Sequence, residues 1–382
     1  MAEKVLVVTT TSGFVPQFEM NNVKYLQLLG YEVHYASNYR TPVYGKDNSR
    51  LDGTGIIRHQ VDFVRSPFRL SNIKVLIKLV KLMKKEQFAL IHCHTPMGGV
   101  LGRIAAWISK CDVVMYTAHG FHFYQGAPLI NQLLYKTMEW TLAHMTDILV
   151  TINQEDYKAA LKFKLKKDGA VFYVPGIGID CKRFYTNEDK RQEIRSQYQI
   201  QPDDFILITC GELIKRKNHE AILKALTYIK DHQVKLILCG SGVLEQDIRQ
   251  KIRDYDLEDR IIMIGYCYNI LDHLKAADCF VFPSYQEGLP VALMEAMASG
   301  LPVVCSKIRG NVDLIIPEEG GFLVDPRDIK ELANSILKLK ENHELKIKMG
   351  LFNAERIQKF DVEVVNRKMR DIYQFAITKG KK

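Results

Sequence analysis

The order of strand and helix signals most constrains the fold of this 382-residue chain. Seven short runs rich in β-branched residues in the first half of the chain, and six in the second, alternate with stretches of helical periodicity. In the first half these stretches include Pro16–Leu29, Ile73–Lys85, Gly98–Ser109 and Leu129–His144. The alternation predicts parallel sheets covered by helices on both faces. The alternation restarts after "VPGIGIDCKRF", near residue 181. We therefore expect an α/β protein with two doubly wound domains, residues 1–180 and 181–358. A final amphipathic helix, residues 359–382, is expected to pack back on the first domain.

In open α/β sheets, ligands bind beyond the carboxyl ends of the strands. Two such domains that face one another would enclose a cleft. The side chains that follow each strand are therefore the first candidates for a functional site.

The stretch "PSYQEGLPVALMEAMASGLPVV" places two glutamates after a predicted buried strand, "DCFVFPS". Glu287 lies in the loop at the carboxyl end of this strand. Pro290 suits the first turn of a helix because its missing N–H would have no partner there. The helix is expected to run from about residue 291 to 298 and to stop at Gly300. Glu295 then lies more than one turn inside the helix.

The start of this helix offers free backbone amides and the positive end of a dipole, which together favour an anion. A carboxylate beside such a site can accept hydrogen bonds from a vicinal diol. An anion between two such carboxylates describes a sugar–diphosphate–ribose ligand. The plainer alternative is that Glu287 caps the helix and Glu295 is an exposed helix residue.

Further motifs extend the pattern. "EGLPVALMEAMASGLPVV" resembles the signature of the family-four retaining glycosyltransferases, which have the GT-B fold. Six further motifs occur in the order typical of this family: "TTTSGF", "IHCHTPMGGVLGRIAA", "YTAHGFHF", "VPGIGIDCKRF", "CGELIKRKNH" and "LCGSGVLEQDI". The resemblance covers nearly all of the chain and is greatest to the capsular and exopolysaccharide branch of Gram-positive bacteria. It implies two facing Rossmann-like domains with the active site in the cleft.

The resemblance also implies roles for the residues of the glutamate stretch. Glu287 would hold hydroxyls of the transferred sugar, and Glu295 would hold the nucleotide ribose. The amides of Gly288 and Leu289, with Gly13 from the other domain, would contact the diphosphate.

The remaining implied site residues lie outside that stretch. Lys217 would neutralise the leaving phosphates. The arginine usual in the family is replaced by Glu212, so either Arg216 supplies the second cation or Glu212 turns away into a structural ion pair. His119, at a strand end, would meet the sugar near the scissile bond. Two more residues are assigned to the nucleotide-sugar site: Gly265 and Tyr266.

The implied reaction is a retaining transfer that needs no metal and no cofactor, from a nucleotide sugar, expected to be a UDP-sugar, to a lipid-linked saccharide. The alternatives are a nucleotide-sugar epimerase of the same fold and a binding subunit with weakened catalysis. Neither "GIG" nor "GSG" continues to GxGxxG, which disfavours a dinucleotide oxidoreductase.

Charge and cysteine usage bear on the partners. Residues 1–180 hold 21 basic and 14 acidic side chains, and part of this excess lies in Arg65–Lys85. We expect that segment to bind an anionic membrane surface. The basic stretches lack the interleaved aromatic residues that stack on bases, so no nucleic-acid partner is expected.

Eight cysteines without a CxxC pair are typical of buried thiols in a reducing compartment, so the chain is expected in the cytoplasm.

Two sequences that suggest metal binding are interpreted otherwise. Asp254 and Asp256 form an Asp-x-Asp sequence in a charged turn, where solvated side chains are expected. His92 and His94 bracket a cysteine on a strand, so they share one face. A zinc site with His119 and His122 is not expected, and His122 is predicted to pack with the phenylalanines beside it.

Overall fold

The computed structural model describes residues 2–43, 47–184, 188–267 and 269–380. The chain divides into two compact units. Unit 1 comprises Met1–Gly178 and Glu363–Lys382, and unit 2 comprises Ile179–Val362. Each unit has its own parallel sheet, so the expected class, α/β with two doubly wound sheets, is confirmed. The cleft expected between the two sheets stays a prediction.

The sheet of unit 1 contains each of the seven strands that the sequence predicts for this half. All pairings in it are parallel, and the spatial order is β3-β2-β1-β4-β5-β6-β7. The strands are apolar along most of their length because helices cover both faces of the sheet. Their bounds are β1 Lys4–Thr11, β2 Glu32–Asn38, β3 Ile57–Gln60, β4 Leu90–His94, β5 Val113–Ala118, β6 Ile148–Thr151 and β7 Ala170–Tyr173.

The helices of unit 1 include the four predicted stretches, one of them in two parts, and a further helix, α6 (Gln154–Ala160). The stretch expected as one helix from Pro16 to Leu29 is divided at Glu19, whose φ of −123° and ψ of 5° interrupt the helical path. The side chain of Glu19 is buried, a polar placement that periodicity does not predict. The bounds are α1 Phe14–Phe18, α2 Met20–Leu28, α3 Ser71–Glu86, α4 Pro96–Ser109, α5 Leu129–Ala143 and α6 Gln154–Ala160.

Unit 2 repeats the architecture with six parallel strands in the order β10-β9-β8-β11-β12-β13. The strands are β8 Phe205–Cys210, β9 Val234–Cys239, β10 Ile261–Gly265, β11 Cys279–Phe282, β12 Val303–Ser306 and β13 Gly321–Val324. The helices are α7 Glu188–Gln197, α8 His219–Tyr228, α9 Glu245–Asp254, α10 Ile270–Ala276, α11 Val291–Ala298, α12 Asn311–Leu314, α13 Ile329–Glu341 and α14 His343–Arg356.

The last helix, α15 (Val362–Gly380), packs on the first sheet, and Val365, Met369 and Ile372 are buried in the core there. It also makes a polar contact with the core. The hydroxyl of Tyr373, fully buried, lies 2.9 Å from Nδ1 of His92 on β4. Within the described ranges, none of the helices combines the length and the hydropathy of a membrane-spanning segment.

Both sheets have a topological switch point, where the strand order reverses. It lies between β1 and β4 in unit 1 and between β8 and β11 in unit 2. Ligands of open α/β sheets bind at such points because the loops diverge there. The loops after these strands are therefore the expected ligand-binding positions.

Replacing Tyr373 with phenylalanine tests the contact of α15. The substitution leaves Nδ1 of His92 buried without its partner, so the free energy of unfolding should fall by about 1–3 kcal/mol. Urea denaturation followed by circular dichroism measures the change. Gln374→Ala, at an exposed position of the same helix, is the control and should have little effect. Equal stability of the two variants would contradict a structural role for the Tyr373 hydroxyl.

Candidate active site

The loop between β11 and α11 has the local structure expected of it. Helix α11 begins at Val291 and ends at Ala298, as predicted. Pro290 is the residue immediately before the helix, with φ −77° and ψ 121°, and does not lie in the first turn. Gly300 has a φ of +72°, a left-handed conformation that favours glycine and ends the helix.

Glu287 is the centre of a buried ionic cluster. Its side chain is 8% exposed, and Oε1 accepts hydrogen bonds from Nη1 of Arg216 at 2.9 Å and from Nζ of Lys217 at 2.8 Å. Its backbone carbonyl accepts a bond from Nε of Arg309 at 3.0 Å. No side-chain hydrogen bond caps α11 among the described residues, so the plainer interpretation of Glu287 as a helix cap is wrong.

The two cations come from a short 3-10 turn, Lys215–Lys217, in the loop after β8. Asn218 follows the turn in a left-handed conformation, φ 54°. Its Nδ2 donates to the carbonyls of Pro283, at 3.0 Å, and Pro326, at 2.9 Å. Asn218 thereby connects the turn with the loop after β11. Neither Asn218 nor Arg309 was predicted from the sequence. For Asn218, the available signal was an asparagine between a basic turn and a helix.

Glu212 does not form the structural ion pair considered above. Its side chain is exposed, and in the described part of the chain it makes no salt bridge. Arg216, in contrast, contacts Glu287 beside Lys217. Arg216 and Lys217 therefore lie together at this switch point, and the role of Arg216 as the second cation stays a prediction.

Glu295, in the second turn of α11, is only partly exposed, which contradicts the interpretation of a freely exposed helix residue. Burial raises the pKa of its carboxyl from the ordinary 4.5 to about 7, and the positive charge of Arg183 opposes this rise. At neutral pH the carboxyl is therefore close to half ionised. A group in this state can change its proton occupancy when a ligand binds.

The other predicted residues of unit 2 lie at the same edge of the sheet. Gly288 and Leu289 form the loop before α11, and the carbonyl of Gly288 lies where a side chain on Gly310 would have to be. Gly265 ends β10 with a φ of +69°, and its carbonyl accepts a bond from the amide of Gly240 at 2.7 Å. Tyr266 follows and is 63% exposed.

Gly13, predicted to contact the diphosphate, lies in the loop after β1 and immediately before α1. A Cβ atom at this position would be 1.6 Å from the carbonyl oxygen of Val43. The close approach of the two backbones therefore requires glycine here.

His119 follows β5 in unit 1 and lies in a polar cluster. Its Nε2 is 3.2 Å from Nδ1 of His94, the last residue of β4, and 3.8 Å from Oε1 of Glu19. Nδ1 of His94 is 3.5 Å from the same Glu19 oxygen. Burial lowers the pKa of His119 to about 4, lowers that of His94 well below 6.5, and raises that of Glu19 to about 7. Both imidazoles are therefore neutral at pH 7.

The histidines of the sequence motifs separate into different roles. His92 and His94 share one face of β4, as alternation predicts, with ring centroids 3.9 Å apart. His122 is exposed, and its ring lies 4.9 Å from that of Tyr135; its packing with the neighbouring phenylalanines stays a prediction. Among the described residues, the one group with metal-ligand spacing is Glu19, His94 and His119.

Two family models match the chain. The model described as "Glycosyl transferases group 1" matches residues 190–355, and "Glycosyl transferase 4-like" matches residues 4–152. The putative glycosyltransferase EpsD of Bacillus subtilis is 32% identical over 98% of this chain and 97% of its own. A UDP-Gal:α-D-GlcNAc-diphosphoundecaprenol α-1,3-galactosyltransferase of Escherichia coli is 30% identical over 80% of each chain.

Solved structures match over nearly the whole chain. Anabaena HepE, determined in complex with UDP and glucose, has a TM-score of 0.79 and 21% identity over 97% of this chain and 99% of its own. This likeness confirms the GT-B type of fold. The two family models and the B. subtilis relative agree with this fold. The chain therefore belongs to the glycosyltransferase family described by the group 1 and 4-like models.

Proposed function

We propose that this chain transfers a sugar, with retention of configuration, from a UDP-sugar to a lipid-linked saccharide in capsule or exopolysaccharide synthesis. The observation that carries the proposal is the convergence of Arg216 and Lys217 on Glu287, next to the start of α11. The E. coli relative is named for a UDP-sugar donor and a diphosphoundecaprenol-linked acceptor, which supports these classes of substrate. The motif resemblance supports the polysaccharide pathway and retention.

The chemistry follows from the charges at the switch point of unit 2. Two cations face one carboxylate, so the cluster has a net positive charge that suits a diphosphate. As the sugar–phosphate bond breaks, negative charge develops on the leaving diphosphate. Arg216, Lys217 and the free amides at the start of α11 would stabilise that charge without a metal ion. Glu287 would exchange part of its ion pairing for hydroxyls of the sugar.

Each part of the donor is assigned to a different set of residues. Glu295 would accept hydrogen bonds from the ribose diol in its ionised form. Gly288 and Leu289 would present amides to the diphosphate, and Gly265 and Tyr266 would contact the nucleotide. From unit 1, Gly13 would approach the diphosphate, and His119 would donate a hydrogen bond to the sugar.

An epimerase and an inactive binding subunit are not favoured. The family models and the relatives are described as glycosyltransferases. Incubating the protein with UDP-galactose or UDP-glucose and a diphosphoundecaprenol-linked N-acetylglucosamine separates the possibilities. Transfer requires the acceptor, whereas epimerisation proceeds without it. The anomeric configuration of the product, read by NMR, tests retention.

Lys217→Ala tests the assignment of the leaving-group cation. Loss of one preorganised charge at the diphosphate should lower kcat by about 100- to 1,000-fold. Lys215→Ala is the matched control, since Lys215 lies in the same turn, is exposed and does not contact Glu287. Initial rates of UDP release measure both variants. Equal kcat values for the two variants would refute the role of Lys217.

The affinity for the donor should depend on pH through Glu295. A UDP-sugar has no group that titrates between about pH 6 and pH 8, and only the ionised carboxylate is a good acceptor for the ribose. With a pKa of about 7, affinity for UDP-galactose should rise about tenfold across this range. Isothermal titration calorimetry measures it. Glu295→Gln should remove the dependence, whereas Glu319→Gln, at an exposed position of unit 2, should preserve it.

We further propose peripheral binding to an anionic membrane through the Arg65–Lys85 segment. The buried face of α3 includes Val75, Leu79 and Met83, while Ile73 and Ile77 point outward. Phe68 and Leu70, just before the helix, are also exposed. Exposed basic residues surround these apolar side chains: Arg65, Arg69, Lys74, Lys78, Lys81, Lys84 and Lys85.

Charge reversal tests this surface. Lys74→Glu with Lys78→Glu should strongly reduce flotation with phosphatidylglycerol vesicles at low salt, because each basic residue near an anionic surface contributes about 1 kcal/mol. Lys330→Glu with Lys348→Glu, exposed in unit 2, changes the net charge equally and is the control. Equal flotation of the two double variants, or no flotation of the wild type, would refute the proposal.

A further inference from the structure

The proton positions in the cluster of Glu19, His94 and His119 follow from burial. His94 is 1% exposed, and its Nε2 has no hydrogen-bond partner in the described ranges. A buried N–H group without an acceptor is rarer in proteins than a buried acceptor without a donor. The single proton of the neutral His94 ring is therefore on Nδ1. That atom faces both Nε2 of His119 and Oε1 of Glu19.

This arrangement determines the tautomer of His119. Because Nε2 of His119 accepts the hydrogen bond from His94, the proton of the neutral His119 ring is on Nδ1. Within the part of the chain that the structure describes, Nδ1 of His119 has no hydrogen-bond partner, and its side chain remains 21% exposed. The ring therefore offers an N–H donor at the carboxyl edge of β5.

The carboxylate of Glu19 determines which nitrogen of His94 carries the proton. The carboxylate oxygen lies 3.5 Å from Nδ1 of His94, and its negative charge disfavours the other tautomer, in which a lone pair would face it. The carboxyl is itself oriented, since Nδ2 of Asn22 donates to Oε2 at 2.6 Å. The backbone is also restrained, because Glu19 lies at the junction of α1 and α2.

Glu19 changes its charge near neutral pH, whereas the titratable groups that face it do not. The facing groups on other elements are Tyr35 on β2, His92 on β4 and Tyr373 on α15. Burial raises the pKa of Tyr35 to about 12 and that of Tyr373 well above its usual 10. It lowers the pKa of His92 to about 3. These three groups therefore stay neutral where Glu19 changes its charge.

We propose that Glu19 is a positioning residue for the transfer reaction: its carboxylate keeps the His94 proton on Nδ1 and so leaves His119 with an Nδ1–H that donates to the substrate. The inference rests on the proposed function for the role of His119, but the proton positions do not depend on it. When Glu19 is protonated, its hydroxyl can donate to Nδ1 of His94, and the order of donors reverses.

A bound metal is the competing explanation for the cluster. The three donor atoms are 3.2–3.8 Å apart, close to the edge of a tetrahedron with zinc bonds of about 2.0–2.1 Å. Histidines that bind metals usually donate their second N–H to an acceptor. His94 lacks such an acceptor in the described ranges, which favours shared protons.

The pH profile of kcat for transfer from saturating UDP-galactose tests the role of Glu19, because saturation removes the pH dependence of donor affinity that is expected from Glu295. In the wild type, activity should rise with pH through about 7 as Glu19 ionises. Glu19→Gln should lower activity about tenfold to a hundredfold above that pH and remove this ionisation. Glu32→Gln is the matched control: it disrupts another Glu–His contact of unit 1, with His34 on β2, and should keep the wild-type profile. A wild-type profile in Glu19→Gln would overturn the proposal.

A readout that needs no activity separates this inference from the proposed function. In the wild type at pH 8, ¹⁵N–¹H NMR of labelled histidines should show His94 and His119 both protonated on Nδ1. In Glu19→Gln this pattern should change. The expected tautomers without sugar transfer would refute the proposed function alone, whereas Nε2 protonation of His119 would overturn the inference. Stoichiometric zinc in the purified protein, lost in Glu19→Gln, would also overturn it, because the metal would then be what the three side chains hold.

Discussion

The buried carboxylate of Glu287 is the constraint on which the site in unit 2 depends. An ionised carboxylate away from water costs several kcal/mol unless charges and hydrogen bonds compensate it. Arg216 and Lys217 supply both, and they come from a different loop of the same sheet. The ion pairs therefore hold the loops after β8 and β11 together at the switch point. Because two cations pair with the single carboxylate of Glu287, its charge is compensated and the loops are still suited to an anionic ligand.

Unit 1 meets the cost of buried polar groups in another way. Around His119, burial removes charge: both histidines of the cluster are neutral at pH 7, and the pKa of Glu19 is raised to about 7. Because few groups of this cluster are charged, its interactions depend on which atoms carry the protons. Unit 2 concentrates permanent cations, and unit 1 presents a neutral donor.

Local signals were sufficient for much of the fold. Each predicted strand is present because buried parallel strands have continuous apolar runs. Helix α11 has its predicted bounds because Pro290 and Gly300 act through their own backbone preferences. The break at Glu19 was missed, since the residues on either side continue a helical pattern. Its cause is the burial of one carboxyl against His94 and His119, which are distant in sequence.

The sequence by itself determined the class of fold, the positions of the loops after the strands and the residues that could carry chemistry, because these depend on periodicity, turn residues and local motif. Only the tertiary structure decided which of them meet. It paired Arg216 with Glu287 and left Glu212 exposed, although Arg216 and Glu212 lie in the same loop after β8. It also joined Glu19 to two histidines from different strands. Partners and pKa values depend on distances across strand order and on exclusion of water, and no single segment of sequence contains that information.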